Sequence, residues 1–170
     1  WSSGLCGFWR YEAVSNMYSI IFVVLLICLG VVFLWITLKL YYSSVRKKLG
    51  ELIQRRFAEE DIIGATTKAN CFGLKSLGSF QLRGNGALIL TKEQVCFLMA
   101  SPEKEYVVSL KSISSVSMPK SFNGKSVFSP LLHIQFFTGD DQKVQDEIAW
   151  VIHDPREWKD SIEKLQEKIC

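Results

Sequence analysis

Histidine is scarce in this 170-residue chain: His133 and His153 are the only two. The five cysteines, Cys6, Cys28, Cys71, Cys96 and Cys170, are scattered, and none forms a C-x-x-C pair. These shortages exclude a zinc-ligand pattern and a disulfide framework, and the thiols read as reduced cysteines of a cytosolic domain. Gly124-Lys125-Ser126 resembles the end of a phosphate-binding loop, but Pro119 stands where the first glycine must be. Asp140, Asp141 and Asp146 do not have the spacing of a calcium loop. Neither histidine has a Ser or Cys partner at a recognisable spacing, so no nucleophilic triad is expected. The sequence therefore offers no catalytic residues, no cofactor and no metal site. A net charge of +3 is too small for a nucleic-acid binder.

Charge is also missing from one long stretch. Met17–Leu38 contains no Asp, Glu, Lys or Arg. As a helix it would be roughly 33 Å long, enough to cross a bilayer core. A soluble core helix of that length would carry a polar stripe, and this one has none. Tyr18 at one end, and Trp35, Tyr41 and Tyr42 at the other, suit the two membrane interfaces. Gly30 has no G-x-x-x-G companion, so no helix-pairing motif is visible. Residues 17–42 are read as a transmembrane helix and residues 1–16 as an extramembrane segment. A cleaved signal peptide would need a shorter apolar region and a small-residue cleavage site, where Lys39-Leu40-Tyr41-Tyr42 stands. The sequence opens on Trp1 rather than on a methionine. Only Arg10 and Glu12 lie before the span, whereas Lys39, Arg46, Lys47, Lys48, Arg55 and Arg56 follow it. The positive-inside rule places the N-terminus outside or in a lumen and the C-terminal part in the cytoplasm.

Residues 43–61 predict a basic amphipathic juxtamembrane helix. Val45, Leu49, Leu52, Ile53 and Phe57 form one apolar stripe, with Arg46, Lys47, Lys48, Arg55 and Arg56 elsewhere on the surface. Either the helix lies on the inner leaflet with its basic side chains near headgroups, or the stripe packs on protein. Ile62–Ser79 has weak periodicity and reads as a linker into a first strand.

Beyond it, short runs predict strands at Phe80–Arg83, Ala87–Leu90, Val95–Met99, Tyr106–Leu110, Ile113–Met118, Leu131–Phe137 and Val144–Ile152. Turns are expected at Gly84-Asn85-Gly86, Ser101-Pro102-Glu103-Lys104, Asn123-Gly124 and Gly139-Asp140-Asp141. Leu132, Ile134 and Phe136 alternate with His133 and Gln135, which puts His133 on the polar side. Asp154 followed by Pro155 predicts the start of a final helix, whose stripe Trp158, Ile162, Leu165 and Ile169 should cover the sheet. Trp158 is expected in the core.

The runs R-G-N-G-A-L-I-L-T-K-E-Q-V-C-F-L, S-L-K-S-I-S-S-V, G-K-S-V-F-S-P-L-L-H-I-Q-F and W-V-I-H-D-P-R-E-W occur in that order. They resemble the GRAM-type domain of the pleckstrin-homology superfold, over residues 65–168, as found in membrane-anchored GRAM/PH-like proteins of mostly unassigned function. The resemblance implies an α+β chain: a transmembrane helix, then over residues 62–170 a seven-stranded antiparallel bent sheet or barrel capped by a C-terminal helix. It carries no catalytic residues.

Inositol-phosphate recognition in that superfold gathers several basic residues at the first hairpin. Here Lys75, Arg83 and Lys92 are widely spaced, and Lys120 and Lys125 lie near Phe122. Lys92, Lys120 and Lys125 are the candidate anion or lipid contacts, and Arg46, Lys47, Lys48, Arg55 and Arg56 the candidate membrane-surface contacts. The expected function is a single-pass membrane protein presenting a lipid-surface or protein-binding module, with anionic headgroups as partner. The alternative is an accessory subunit of a membrane enzyme or transporter, its partner another membrane protein. No nucleic acid is expected.

Overall fold

The computed structural model describes residues 5–78, 83–138 and 144–169, and for residues 5–19 the backbone alone. The chain divides into two compact units, Trp1–Ser44 and Val45–Cys170. Where the sequence suggests two helices, there is one continuous helix, α1 (Leu5–Arg56).

Within the first unit the apolar side chains from Ile20 to Tyr42 are all exposed. The helix is long and apolar enough to cross a membrane. Two of its polar side chains are engaged within the helix. The Thr37 hydroxyl donates to the Leu34 carbonyl at 2.8 Å, the bond a hydroxyl makes when no water is at hand. The Lys39 ammonium lies 5.0 Å from the centre of the Trp35 ring.

The second unit is built on β1 (Ile62–Leu74), β2 (Gly84–Thr91), β3 (Gln94–Ala100), β4 (Glu103–Ser109), β5 (Ile113–Ser117), β6 (Ser121–Phe122), β7 (Lys125–Ser126), β8 (Leu132–Thr138), β9 (Val144–Val151) and α2 (Pro155–Ile169). Seven strands form one antiparallel sheet in the order β4-β3-β2-β1-β9-β8-β5, and β6 and β7 make a separate hairpin. The sheet is open rather than a closed barrel, with β4 and β5 at its ends. Seven strands and one C-terminal helix are the architecture that the pleckstrin-homology resemblance implies.

The segment read as a linker is instead the strand that joins the two halves of this sheet. β1 pairs with β2 from Ile62 to Cys71 and with β9 from Asn70 to Leu74. Three register shifts, at Ile62/Gly64, Thr66/Ala69 and Cys71/Gly73, bend it. Each shift resets which side chains face inward, so the period-2 signature never builds up. Gly84-Asn85-Gly86 is likewise not a turn but the start of β2. A Cβ on Gly86 would collide with the Leu98 carbonyl oxygen and lie 2.7 Å from the Phe97 ring. The glycine serves close approach of strands rather than chain reversal. The expected strand residues Phe80, Gln81 and Leu82, and the turn Gly139-Asp140-Asp141, lie outside the described residues.

The inner face of the sheet holds the main core. Leu88, Phe97, Ile134, Ile148 and Trp150 are closed over by Ile162 of α2, all fully buried. Trp158 packs against this cluster but is only partly buried, and Ile162 is the central contact of the helix. Gln166 fixes the helix further along, donating to the carbonyls of Leu110 (3.2 Å) and Ile113 (2.9 Å). The outer face has two covers. Leu49 and Ile53 of α1 lie on Ala87, Ile89, Cys96 and Leu98. Phe122 of the β6–β7 hairpin joins Phe72, Leu131 and Ala149. The stripe of α1 therefore packs on protein, and Leu52, expected within it, is 38% exposed.

Candidate functional site

The side chains capable of chemistry collect on the outer face, beside the β6–β7 hairpin. Register puts them there. Ser117 on β5 pairs with His133 on β8, and Gln135 next to His133 on the same face pairs with Glu147 on β9. The hairpin turns at Asn123-Gly124, both with positive φ (48° and 73°), the two-residue reversal that this pair of residues favours. It brings Phe122 to 5.4 Å from the His133 ring, centre to centre. Between hairpin and sheet lies a cleft of about 380 Å³ lined by Lys75, Ser117, Pro119, Asn123, His133 and Glu147 among others.

Four groups form a chain of polar contacts in this cleft. The Lys75 ammonium donates to Glu147 Oε1 at 2.6 Å. Glu147 Oε2 lies 3.2 Å from His133 Nε2, and His133 Nδ1 lies 2.8 Å from the Ser117 hydroxyl. The ammonium beside it holds the Glu147 carboxyl below its ordinary range. Burial lowers the His133 pKa, because desolvation disfavours the imidazolium. An ionised Glu147 and a neutral His133 fix the tautomer: Nε2–H donates to the carboxylate, and Nδ1 accepts from Ser117. Hydroxyl, imidazole and carboxylate thus stand in the order that polarises a hydroxyl. The sequence reading, which found no Ser partner for His133, missed this because the partner comes from a neighbouring strand. The Asn123 Nδ2 is buried with no hydrogen-bond partner among the described residues. Asp146 is structural: its Oδ1 accepts from the backbone N–H groups of Ser76 (3.0 Å) and Glu147 (2.8 Å).

The residues singled out from sequence are distributed as follows. Arg46, Lys47, Lys48 and Arg55 are exposed on α1, and Arg56 pairs with Glu105 at 2.7 Å. Lys92, in the turn after β2, is held by Asp61 at 3.2 Å. Lys120 and Lys125 are exposed on the one hairpin. Arg83 lies over the Phe72 ring at 4.1 Å. Lys75, Arg83 and Lys92 are thus each engaged by a different partner. Cys71 and Cys96 are buried, and burial pushes their thiols up to about 11 and about 12, so neither is a nucleophile near neutrality. Among the described residues no group of three or more His, Cys, Asp or Glu could hold a metal ion.

No protein-family model matches the chain. No curated protein matches it either. Solved structures do. The chain is similar to the Vps36 N-terminal PH domain, at 15% identity and a TM-score of 0.46, over 64% of this chain and 80% of that one. It is also similar to a chain of the 8S snRNP assembly intermediate, at 9% identity and 0.46, over 65% and 82%. A third similar chain is the C-terminal domain of an unknown protein from Leishmania infantum, at 15% and 0.43, over 73% and 94%.

Proposed function

We propose that this chain is a single-pass membrane protein that presents a GRAM/PH-like binding module to the cytoplasmic leaflet, and that the module reads anionic lipid headgroups. Arg46, Lys47, Lys48 and Arg55 carry the contact. The observation behind this is the use of the α1 stripe. Leu49 and Ile53 are spent on β2 and β3, so the helix cannot lie on a bilayer by its apolar side. Its basic side chains remain displayed, just after an apolar stretch whose side chains are exposed from Ile20 to Tyr42. Each basic residue near an anionic surface contributes about 1 kcal/mol, which salt screens.

The test uses residues 45–170, the unit with its own core. They pellet with phosphatidylserine vesicles at low salt and lose binding as salt rises. Reversing Arg46, Lys47, Lys48 and Arg55 to Glu abolishes pelleting while circular dichroism stays unchanged. Equal pelleting of that variant removes the helix from the reading. Orientation is checked by glycosylation acceptor sites carried on extensions of the two ends: the N-terminal site is modified and the C-terminal one is not.

A further inference from the structure

We infer that Lys120–Pro130, the β6–β7 hairpin and the loop leaving it, forms a second bilayer contact, with Phe128 in the interface of an anionic leaflet and Lys120 and Lys125 at the level of its phosphates. This rests on the membrane-anchored reading.

Phe128 is 104% exposed, more open than any other large apolar side chain among the described residues. A frayed loop would make that unremarkable, but this loop is pinned at both ends. The Val127 N–H donates to the Lys120 carbonyl at 2.8 Å, and the Leu131 N–H to the Pro119 carbonyl at 2.9 Å. Val127 packs into the Phe122 cluster, and Leu131 is fully buried within it. Phe128 therefore projects from a fixed base, and little ordering entropy opposes its docking.

The charge along this stretch of chain has one sign, and the carboxylate nearest to it in the cleft, Glu147, is already paired with Lys75. From Tyr106 to Gly139 the chain contains Lys111, Lys120 and Lys125 and not one Asp or Glu. Lys120 and Lys125 flank Phe122 on the hairpin, exposed and with no ion pair among the described residues. The juxtamembrane stretch, by contrast, mixes its cations with Glu51, Glu59, Glu60 and Asp61. One ring offers too little apolar area for a stable protein interface, which buries about 1,000 Å² or more. It suffices for an interfacial anchor, where two lysines supply the remaining attraction and the chain's own apolar helix supplies proximity.

The full chain is tested in nanodiscs of phosphatidylcholine, with and without phosphatidylserine, by amide hydrogen exchange. Exchange at Ser126–Ser129 slows about tenfold when phosphatidylserine is present, equivalent to about 1.4 kcal/mol. The slowing disappears in Phe128→Ala and in Lys120→Glu with Lys125→Glu. Phe128 is fully exposed, so its replacement leaves the fold intact, which a thermal melt verifies. Equal exchange in both lipids, or protection that survives Phe128→Ala, overturns the docking and assigns the loop to a protein partner. An alkaline carbonate wash separates the two readings. A chain that stays with the lipid but shows no loop protection overturns the docking alone; a chain that washes off overturns the anchor as well.

Discussion

The outer face of the sheet is covered in two places, and the two covers differ in kind. Over β2 and β3 the cover is a helix, and the contact is dry: Leu49 and Ile53 meet Ala87, Ile89, Cys96 and Leu98. Next to β5, β8 and β9 the cover is a two-stranded hairpin, and only part of the contact is apolar. Phe122 fills one side, while Lys75, Glu147, His133 and Ser117 line an open cleft on the other. A dry contact is set by area and fit. A half-polar one depends on protonation, and it leaves hydroxyl, amide and ammonium groups facing a space where a ligand can enter. The first cover fixes structure, and the second is where chemistry remains available.

Breaking the dry cover has the largest expected effect. Leu49→Ala together with Ile53→Ala should destabilise residues 45–170 by about 4 kcal/mol or more, since each deletion alone falls in the range of about 2–5 kcal/mol. Urea denaturation measures it. A loss below about 2 kcal/mol would mean that the helix stretch contributes little to the fold.

Breaking the apolar part of the hairpin cover comes next. Phe122→Ala should cost about 3 kcal/mol, the low end for a buried phenylalanine, because the cluster beneath it is small and can partly collapse. The same variant should speed amide exchange throughout β6 and β7 while leaving β2 and β3 unchanged. Equal acceleration on both sides would show that the covers are not independent.

The helix cover was half legible in the sequence and the hairpin cover hardly at all, for physical reasons. A stripe at helical spacing over Val45, Leu49, Ile53 and Phe57 is a local signal, although its target, sheet or membrane, is not. Leu52 fits the same spacing loosely and turns out exposed. The hairpin has strands of two residues each, too short for any periodicity; only the Asn123-Gly124 turn was visible. The Ser117–His133–Glu147 chain depends on the register of β5 on β8 and of β8 on β9, which no local pattern encodes. Alternation did place His133 on the face opposite Leu132 and Ile134, but it carried no sign that Phe122 covers the ring there. β1 escaped because its three register shifts erase the alternation by which strands are read.

Acid should act on the second cover. The folded-state pKa of His133 lies below its ordinary value of 6.5 because the ring is buried. The unfolded chain then takes up the proton more readily, so this contribution is complete above about 6.5 and is lost as pH falls towards the folded value. The Glu147 carboxyl is lowered from 4.5 by the Lys75 ammonium, so its contribution is complete above about 4.5 and is lost as pH falls through its lower folded value. The signs agree: acidification destabilises in both windows. His133→Gln should flatten the upper window and Glu147→Gln the lower. At neutral pH Glu147→Gln should cost about 1–2 kcal/mol, the scale of a charge-assisted bond lost at a half-buried site. Urea midpoints measured across the pH range test this, and a flat wild-type profile between pH 7 and 5 would contradict it.

The smallest effect tests whether the helix cover is as dry as its packing implies. Arg56 and Glu105 bridge the end of α1 to β4 at 2.7 Å, and their side chains are 49% and 31% exposed. Glu105 also accepts from the Cys96 thiol at 3.3 Å, at the margin of the apolar contact. Exposed pairs of this kind are worth about 0.2–1 kcal/mol, because solvent screens the attraction and two long side chains must be held still. Arg56→Ala should therefore cost less than about 1 kcal/mol, leaving Glu105 to solvent and the thiol. A double-mutant cycle with Glu105→Ala should return a coupling in that range which shrinks further in high salt. A salt-insensitive coupling above about 2 kcal/mol would be the behaviour of a desolvated pair. In that case the helix, like the hairpin, would be held by charge as well as by fit, and the contrast between the two covers would be one of degree.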